Sequence, residues 1–218
     1  MKSLILCFLV ISNVYAAGRR DLASIQQVDR VEHARELLGK RYKKSAVKAS
    51  EKLDLETNIL AIVEKSLPKK YKERAHDVAH AIITEANRHA LDPFFVMAVI
   101  AGESSFNPEA KGPVGEIGLM QLRASTGKWM AKIIKSKWRG DRTLKDPVEN
   151  IRLGAAYLSW LRTKFEGSSQ LYLAAYNMGP KNVKSALAKN VRPKDYPIHV
   201  MKRYLAFYRG VLADSAIQ

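Results

Sequence analysis

The reading of the fold turns on PFFVMAVIAGESSFNPEAKGPVGEIGLMQL, residues Pro93–Leu122. Its first part, Phe94 to Ala101, is apolar on nearly every side of a helical projection, which marks a helix through the centre of a core rather than one lying on its surface. Asp92 before it suits an N-cap, and Pro93 suits the first helical position, where its missing N–H costs nothing. Glu103 then arrives just before the chain breaks. Partial desolvation at that point penalises the carboxylate and raises its pKa, and a carboxyl held protonated near neutral pH is what a general acid requires. Taken alone, the stretch supports equally a surface glutamate paired with a lysine.

The residues after Glu103 tip that balance. Ser104 to Gly118 mixes Ser, Asn, Pro and Gly, with four turn-favouring residues from Gly112 to Gly115, so the chain wraps as a long loop beside Glu103. Loops on rigid scaffolds commonly carry binding groups. GLMQ then restarts a helix: Gly118 permits close backbone approach, Met120 offers a soft apolar contact, and Gln121 brings both an amide donor and a carbonyl acceptor. An amide beside an acid suits a substrate rich in hydroxyl and acetamido groups.

Outward from this centre nearly everything reads as helix. Residues 71–90 carry Val78, Ala79, Ile82, Ile83 and Ala86 at a spacing that fits one buried face. Asp146-Pro147 repeats the cap-and-proline device before VENIRLGAAYLSWLRTKF, Ser168 or Ser169 can cap LYLAAYNM, and Gly179-Pro180 closes it. A last helix is expected from about Ile198 to Leu212. No stretch alternates with period two between hairpin turns, so the fold class is mainly α. Residues 18–70 are rich in charge, with apolar residues at helical intervals (Leu22, Ile25, Val28; Leu37, Leu38; Leu55, Ile59, Ile62, Val63). They read as two or three amphipathic helices joined by a solvated basic linker, Lys40–Lys52. The expected division is residues 1–17, a basic helical N-terminal extension over 18–70, and a catalytic domain over 71–218.

The first 17 residues, with Lys2, the apolar run Leu4–Val14 and small residues at Ala16 and Ala17, have the pattern of a secretory signal peptide. The run is about half the ~20 residues needed to cross a bilayer, so no transmembrane anchor is expected after cleavage. Cys7, the single cysteine, lies inside this leader; a cysteine nucleophile, a thiolate metal site and stabilising disulfides are therefore not expected in the remainder. The formal charge is +16, and removing the leader takes away only Lys2. An exported basic chain is expected to meet anionic envelope polymers or lipid head groups rather than nucleic acid. His76 and His80 have metal-compatible spacing, but there is no HExxH and no clear carboxylate set, so no metal and no cofactor are expected.

Four ordered motifs carry a resemblance. Glu103-Ser104 with Phe106-Asn107-Pro108, GEIGLMQL (Gly115–Leu122), NIRLGAAYL (Asn150–Leu158) and LAAYNMGP (Leu173–Pro180) are together similar to the SLT-type lytic transglycosylases, the goose-lysozyme-like branch of the lysozyme superfamily. The likeness covers about residues 71–209. It implies a lysozyme-like SLT catalytic domain, located in the periplasm or the extracellular cell envelope. The implied substrate is the glycan strand of peptidoglycan, cleaved non-hydrolytically at the β-1,4 bond between N-acetylmuramic acid and N-acetylglucosamine to leave 1,6-anhydromuramic ends. By the same likeness Glu103 is the single acid, then base; Met120 and Gln121 line the cleft, and Tyr176 and Asn177 reach the catalytic centre, with the Tyr176 hydroxyl bonding to the acid or to an acetamido group.

One carboxyl suffices in such a reaction, because an internal hydroxyl replaces the second carboxylate that ordinary glycosidases use. Two alternatives stand beside it: a muramidase on the same fold, with water as nucleophile, and a non-catalytic wall-binding or assembly protein. Residues 18–70 are expected to pack on the domain or to dock an envelope protein partner. The chain departs from the family where a serine commonly sits, at Gly112, and in a C-terminal tyrosine-valine pair replaced by Val200-Met201. Tyr196 and Tyr204 are two substitutes between which the sequence does not choose.

Overall fold

The structure, a computed structural model, describes residues 21–216; the signal-peptide reading of residues 1–17 falls outside them. The helical intervals near the start produce α1 (Gln27–Leu38), α2 (Ala46–Ala49) and α3 (Leu55–Ser66). Then come α4 (Ala75–Arg88), α5 (Pro93–Glu103), a minimal antiparallel pair of β1 (Glu116–Ile117) and β2 (Leu122–Arg123), α6 (Ala124–Ile133) and α7 (Asp141–Lys145). The chain closes with α8 (Pro147–Lys164), α9 (Ser169–Met178), α10 (Pro180–Ala188) and α11 (Asp195–Ser215). The mainly α expectation holds.

Helix α5 is the axis of the core. Every residue from Pro93 to Ile100 is buried, as an apolar run without a polar stripe requires. Asp92 caps it, accepting the Phe94 N–H at 2.9 Å, and Pro93 occupies the first turn. The cap is itself fully buried, and its second oxygen accepts from the hydroxyls of Tyr204 and Tyr208, both at 2.7 Å. Both tyrosines belong to α11, so the start of α5 is tied to the later part of α11. Eleven residues separate Asp92 from Glu103, about 16 Å at 1.5 Å per residue, and an antiparallel α11 brings its early residue Tyr196 level with Glu103. The aromatic rings of Phe94 and Phe95 fill the seam between the two helices.

The N-terminal helices share this core. Ile25, Leu37, Leu38, Leu55, Ile59 and Val63 belong to one continuous buried cluster with α4 and α5. Arg30, fully buried, donates to the Tyr208 hydroxyl at 2.9 Å and so extends the Asp92 network into α1. His33 accepts the Asp92 backbone N–H at Nδ1 (2.9 Å), which leaves the proton on Nε2 to face the Tyr172 hydroxyl at 3.1 Å. Burial, reinforced by Arg162, pushes the His33 pKa far down and keeps the ring neutral. Arg162 of α8 holds Glu36 of α1 through Nε and Nη2, at 2.6 to 3.1 Å.

One expectation is corrected. The run Lys40–Lys52 is not a solvated linker: Gly39–Lys44 forms a 3-10 segment leading into α2, and Tyr42, Val47 and Ser50 are buried. These three inward residues anchor the segment while its lysines face solvent, and α2 packs on α11. The final helix is also longer than the sequence suggested, beginning at Asp195.

The Asp92 network is expected to dominate stability. Asp92→Ala removes a helix cap worth ~1 kcal/mol and orphans two buried hydroxyls at ~1–3 kcal/mol each, so urea denaturation should show a loss of at least about 3 kcal/mol.

Candidate active site

Glu103 is the last residue of α5, and the core around that helix end decides its chemistry. Ser104 terminates the helix, its N–H bonded to Ile100 O and its hydroxyl donating to Leu119 O at 2.8 Å, which staples the loop to the end of α5. Ser105 and Phe106 then take positive φ, 50° and 62°, turning the chain back, and the buried Phe106 ring anchors the turn. Desolvation raises the Glu103 pKa above the ordinary glutamate range. The Tyr196 hydroxyl, donating to Oε1 at 2.5 Å, and the more distant Arg203 pull it down, while the Glu116 charge pushes it further up. The net direction is upward. Tyr196 is partly exposed as a residue, yet its hydroxyl end is enclosed, and burial with Glu103 alongside holds that hydroxyl's pKa well above the usual tyrosine value.

The loop from Ala110 to Gln121 is locked by its own polar groups. Gly112 N–H donates to Glu116 O at 2.9 Å, and the Glu116 carboxylate accepts from Arg123 Nε at 3.0 Å and from Val114 N–H at 3.1 Å. Burial acts to raise the Glu116 pKa, but its own backbone N–H, Arg123 and the Val114 N–H outweigh it and hold this carboxyl below the ordinary range. Glu116 explains Gly112: a Cβ there would stand 2.3 Å from Glu116 Oε2 and 2.9 Å from Gln121 Oε1. The carboxylate fills the space that a side chain at 112 would need.

Gln121 adopts a positive φ of 45° and donates its amide to Ala110 O and Gly118 O, both at 3.0 Å. Its donors are thus committed to the loop, and Oε1 is turned toward Gly112. Asn150, fully buried in the first turns of α8, clamps the same loop from below. Its Nδ2 donates to Ile117 O and Leu144 O at 2.9 Å, and its Oδ1 accepts the Met120 N–H at 2.7 Å. Gly118, at φ 84°, is forced by that clamp, since a Cβ would meet Leu144 O at 2.3 Å and Asn150 Nδ2 at 2.4 Å.

Two sequence expectations change here. The Tyr176 hydroxyl donates to Met120 O at 2.7 Å and not to the acid; the tyrosine that reaches Glu103 is Tyr196. Met120 lines no open cleft with its side chain, which is fully buried against Gly154, where a Cβ would lie 2.3 Å from the sulfur. Tyr176 still lies beside the acid, its pKa driven up by burial and then by the Glu103 charge. Its ring is 5.5 Å from Tyr157, which stacks on Trp160, and Trp129 stands edge-on to Trp160 at 4.7 Å. Asn177 is exposed at the end of α9.

Sequence reasoning missed Glu116, Asn150 and the choice of Tyr196. For Asn150 a signal existed, an amide on the otherwise apolar face of an amphipathic helix. Tyr196 had none, because its partner is 93 residues away.

A family model described as the transglycosylase SLT domain matches residues 80–198, just over half of the chain. The soluble lytic murein transglycosylase of Salmonella typhimurium is 35% identical over 97 residues, covering 44% of this chain and 15% of that protein. The endo-type membrane-bound lytic murein transglycosylase A of Salmonella paratyphi B is 48% identical over 75 residues, covering 33% of this chain and 36% of the relative. The chain thus spans less than two fifths of the length of these curated relatives. Among solved structures, the 70 kDa soluble lytic transglycosylase of Escherichia coli superposes with a TM-score of 0.52 at 22% identity, over 85% of this chain and 34% of that one. That likeness supports the lysozyme-like SLT fold.

Two outcomes are expected. In a carboxyl NMR titration, Tyr196→Phe moves the Glu103 pKa further up, since it removes a hydrogen bond to the charged form. Gly112→Ser destabilises the fold by about 1–3 kcal/mol through overpacking, and Glu116→Ala in the same chain recovers most of the loss in a double-mutant cycle.

Proposed function

The chain belongs to the transglycosylase SLT domain family, and from that premise we propose that it is an exported peptidoglycan lytic transglycosylase in which Glu103 acts as acid and then as base. The observation that carries the reading is a carboxyl at the end of a buried helix with its pKa raised by desolvation, a shift toward the protonated form that the first step requires. Glu103 gives its proton to the departing glycosidic oxygen as the bond to C1 of the muramic residue breaks. The resulting carboxylate takes the proton of that residue's C6 hydroxyl while the oxygen attacks C1. The anhydro ring closes, Glu103 is protonated again, and no water is consumed. The substrate's own acetamido group stabilises the electron-poor C1, as in substrate-assisted glycosidases.

Tyr196 suits both halves of this cycle. Its hydroxyl donates to Glu103 Oε1, which favours the carboxylate left after the first transfer and limits how far burial raises the pKa. The donors of Gln121 are occupied within the loop, so its Oε1 is the atom left to accept from a substrate N–H or O–H.

Glu116 gives a specific observation bearing on hydrolysis, because a second carboxylate near the acid is what a water-activating base requires. Its oxygens are bonded to Arg123 and to the Val114 N–H, and its pKa is held low, so it is a weak base. That favours the intramolecular hydroxyl over water as nucleophile. Export to the envelope and docking of an envelope protein are part of the same proposal; for the latter the outward faces of α1 to α3 and the exposed cations of Gly39–Lys44 are available, including Val28, 71% exposed. None of the helices in the described residues is long and apolar enough to cross a membrane.

Digestion of purified sacculi tests the reading. The expected products carry anhydromuramic ends, lighter by one water than reducing ends in mass spectrometry, and Glu103→Gln lowers their release by ~10²–10⁴-fold, whereas Glu116→Gln retains turnover. Reducing ends alone would establish the muramidase, and equal clearing by Glu103→Gln and the parent would establish a non-catalytic protein.

A further inference from the structure

The 3-10 segment Gly39–Lys44, the start of α2 and the later part of α11 enclose a pocket of about 210 Å³. Tyr42 is the one buried side chain of GKRYKK, and Lys40, Arg41, Lys43 and Lys44 are exposed. A 3-10 helix has three residues per turn, which brings Arg41 and Lys44 to the same side, and both line the pocket. On α11, Leu205 and Arg209 are four apart, share a face and supply the helical wall.

The lining divides by chemistry. Arg41, Lys44 and Arg209 are its charged members, and none of its side chains is acidic. None of the three has an ion pair among the described residues. The carboxylate that follows α2, Glu51, is already taken by Lys48 Nζ at 2.7 Å and by the Tyr42 hydroxyl. Ser45 is committed as well, its hydroxyl donating to Tyr42 O at 2.7 Å and accepting the Lys48 N–H at 3.3 Å. The remaining walls, Leu38, Ala46 and Leu205, are apolar. Three like charges held beside apolar walls repel one another, and no acidic side chain of the pocket offsets them.

That combination selects among anions. A soluble phosphate polymer uses the cations and leaves the apolar walls in water, whereas an amphiphile uses both: its phosphate meets the cations, and its glycerol and first methylenes cover Leu38 and Leu205. The pocket is smaller than the ~300–1,000 Å³ that encloses a small-molecule ligand, so a head group enters while the rest of the molecule stays outside, as a lipid held in a bilayer does. Lys40 and Lys43 of the same exposed segment then meet neighbouring head groups, the way polybasic segments are drawn to anionic bilayers. We propose that this face docks on an anionic phospholipid membrane surface, with one glycerophosphate head group seated between Arg41, Lys44 and Arg209. The outward faces of α1 and α3 stay open to a protein. Tyr196 lies earlier on α11, ~20 Å along the axis from Arg209, so docking here leaves the Glu103 end of the molecule away from the lipid contact. Binding at this face is independent of the chemistry at Glu103.

The test is cosedimentation of the exported chain with vesicles of phosphatidylcholine alone and of phosphatidylcholine mixed with phosphatidylglycerol. The leader is removed beforehand, so that Leu4–Val14 does not itself enter the bilayer. The expected result is binding to the mixed vesicles only, weakened by rising salt. Each lysine or arginine near such a surface contributes about fivefold, so Arg41→Gln/Lys44→Gln/Arg209→Gln binds at least about tenfold more weakly, with its thermal melting unchanged. Lys189→Gln/Arg192→Gln/Lys194→Gln removes the same charge just before α11, ~20 Å or more along the helix from Arg209 and beyond the ~10 Å screening length, and keeps the parental affinity. No binding to the mixed vesicles, equal binding to both kinds, or parental affinity in the Arg41 triple variant would each overturn the proposal. Equal loss in the two triple variants would overturn it in favour of net charge alone, and displacement by glycerol 3-phosphate at the same phosphate concentration in favour of a soluble phosphate ligand.

Discussion

Everything in this structure depends on one buried carboxylate. Asp92 caps α5, accepts two tyrosine hydroxyls from α11 and is linked through Tyr208 to Arg30 of α1. Burial pushes its pKa up, while Arg30 and the hydrogen bonds oppose that push. A charge-bearing group in a core is tolerated only when its bonds are complete, so the network permits one arrangement of three helices. That arrangement sets the register of α11 against α5, and the register places Tyr196 beside Glu103.

The Glu103 end of α5 is organised by the same logic at lower burial. Glu103 has one close donor, whereas Glu116 has several, and the two carboxyls are displaced in opposite directions from the same ordinary value. Environments that drive neighbouring carboxyls apart are how a single site separates an acid from a permanent anion. Here the Glu116 carboxylate also has a steric role, because a side chain at position 112 could enter only if that carboxylate moved aside.

The basic character of the chain is unevenly used. Some arginines are structural, such as Arg30 in the core and Arg162 between α1, α8 and the Ala90 carbonyl. Others, Arg41, Lys44 and Arg209, line a pocket that has no acidic side chain. A net charge of +16 therefore describes the solvent-facing behaviour of the molecule poorly until each cation is assigned to a partner.

Much was legible in the chain alone. The apolar run of α5, its Asp-Pro start, the same device at Asp146-Pro147 and the loop after Glu103 follow from local rules of capping, turn chemistry and periodicity, which act within a few residues. The position of Glu103 at the end of a core helix was determined by the sequence for that reason. The basic run at Lys40–Lys52 was misread because two buried anchors, Tyr42 and Val47, are weak signals among many lysines. Only the tertiary structure decided which tyrosine meets the acid, why residue 112 is glycine and where the Met120 side chain goes. Each of those depends on atoms brought together by packing: Tyr196 across 93 residues, Glu116 folded back over Gly112, and Gly154 opening space for a sulfur. No local pattern encodes such meetings, because the free energy that enforces them belongs to the assembled core.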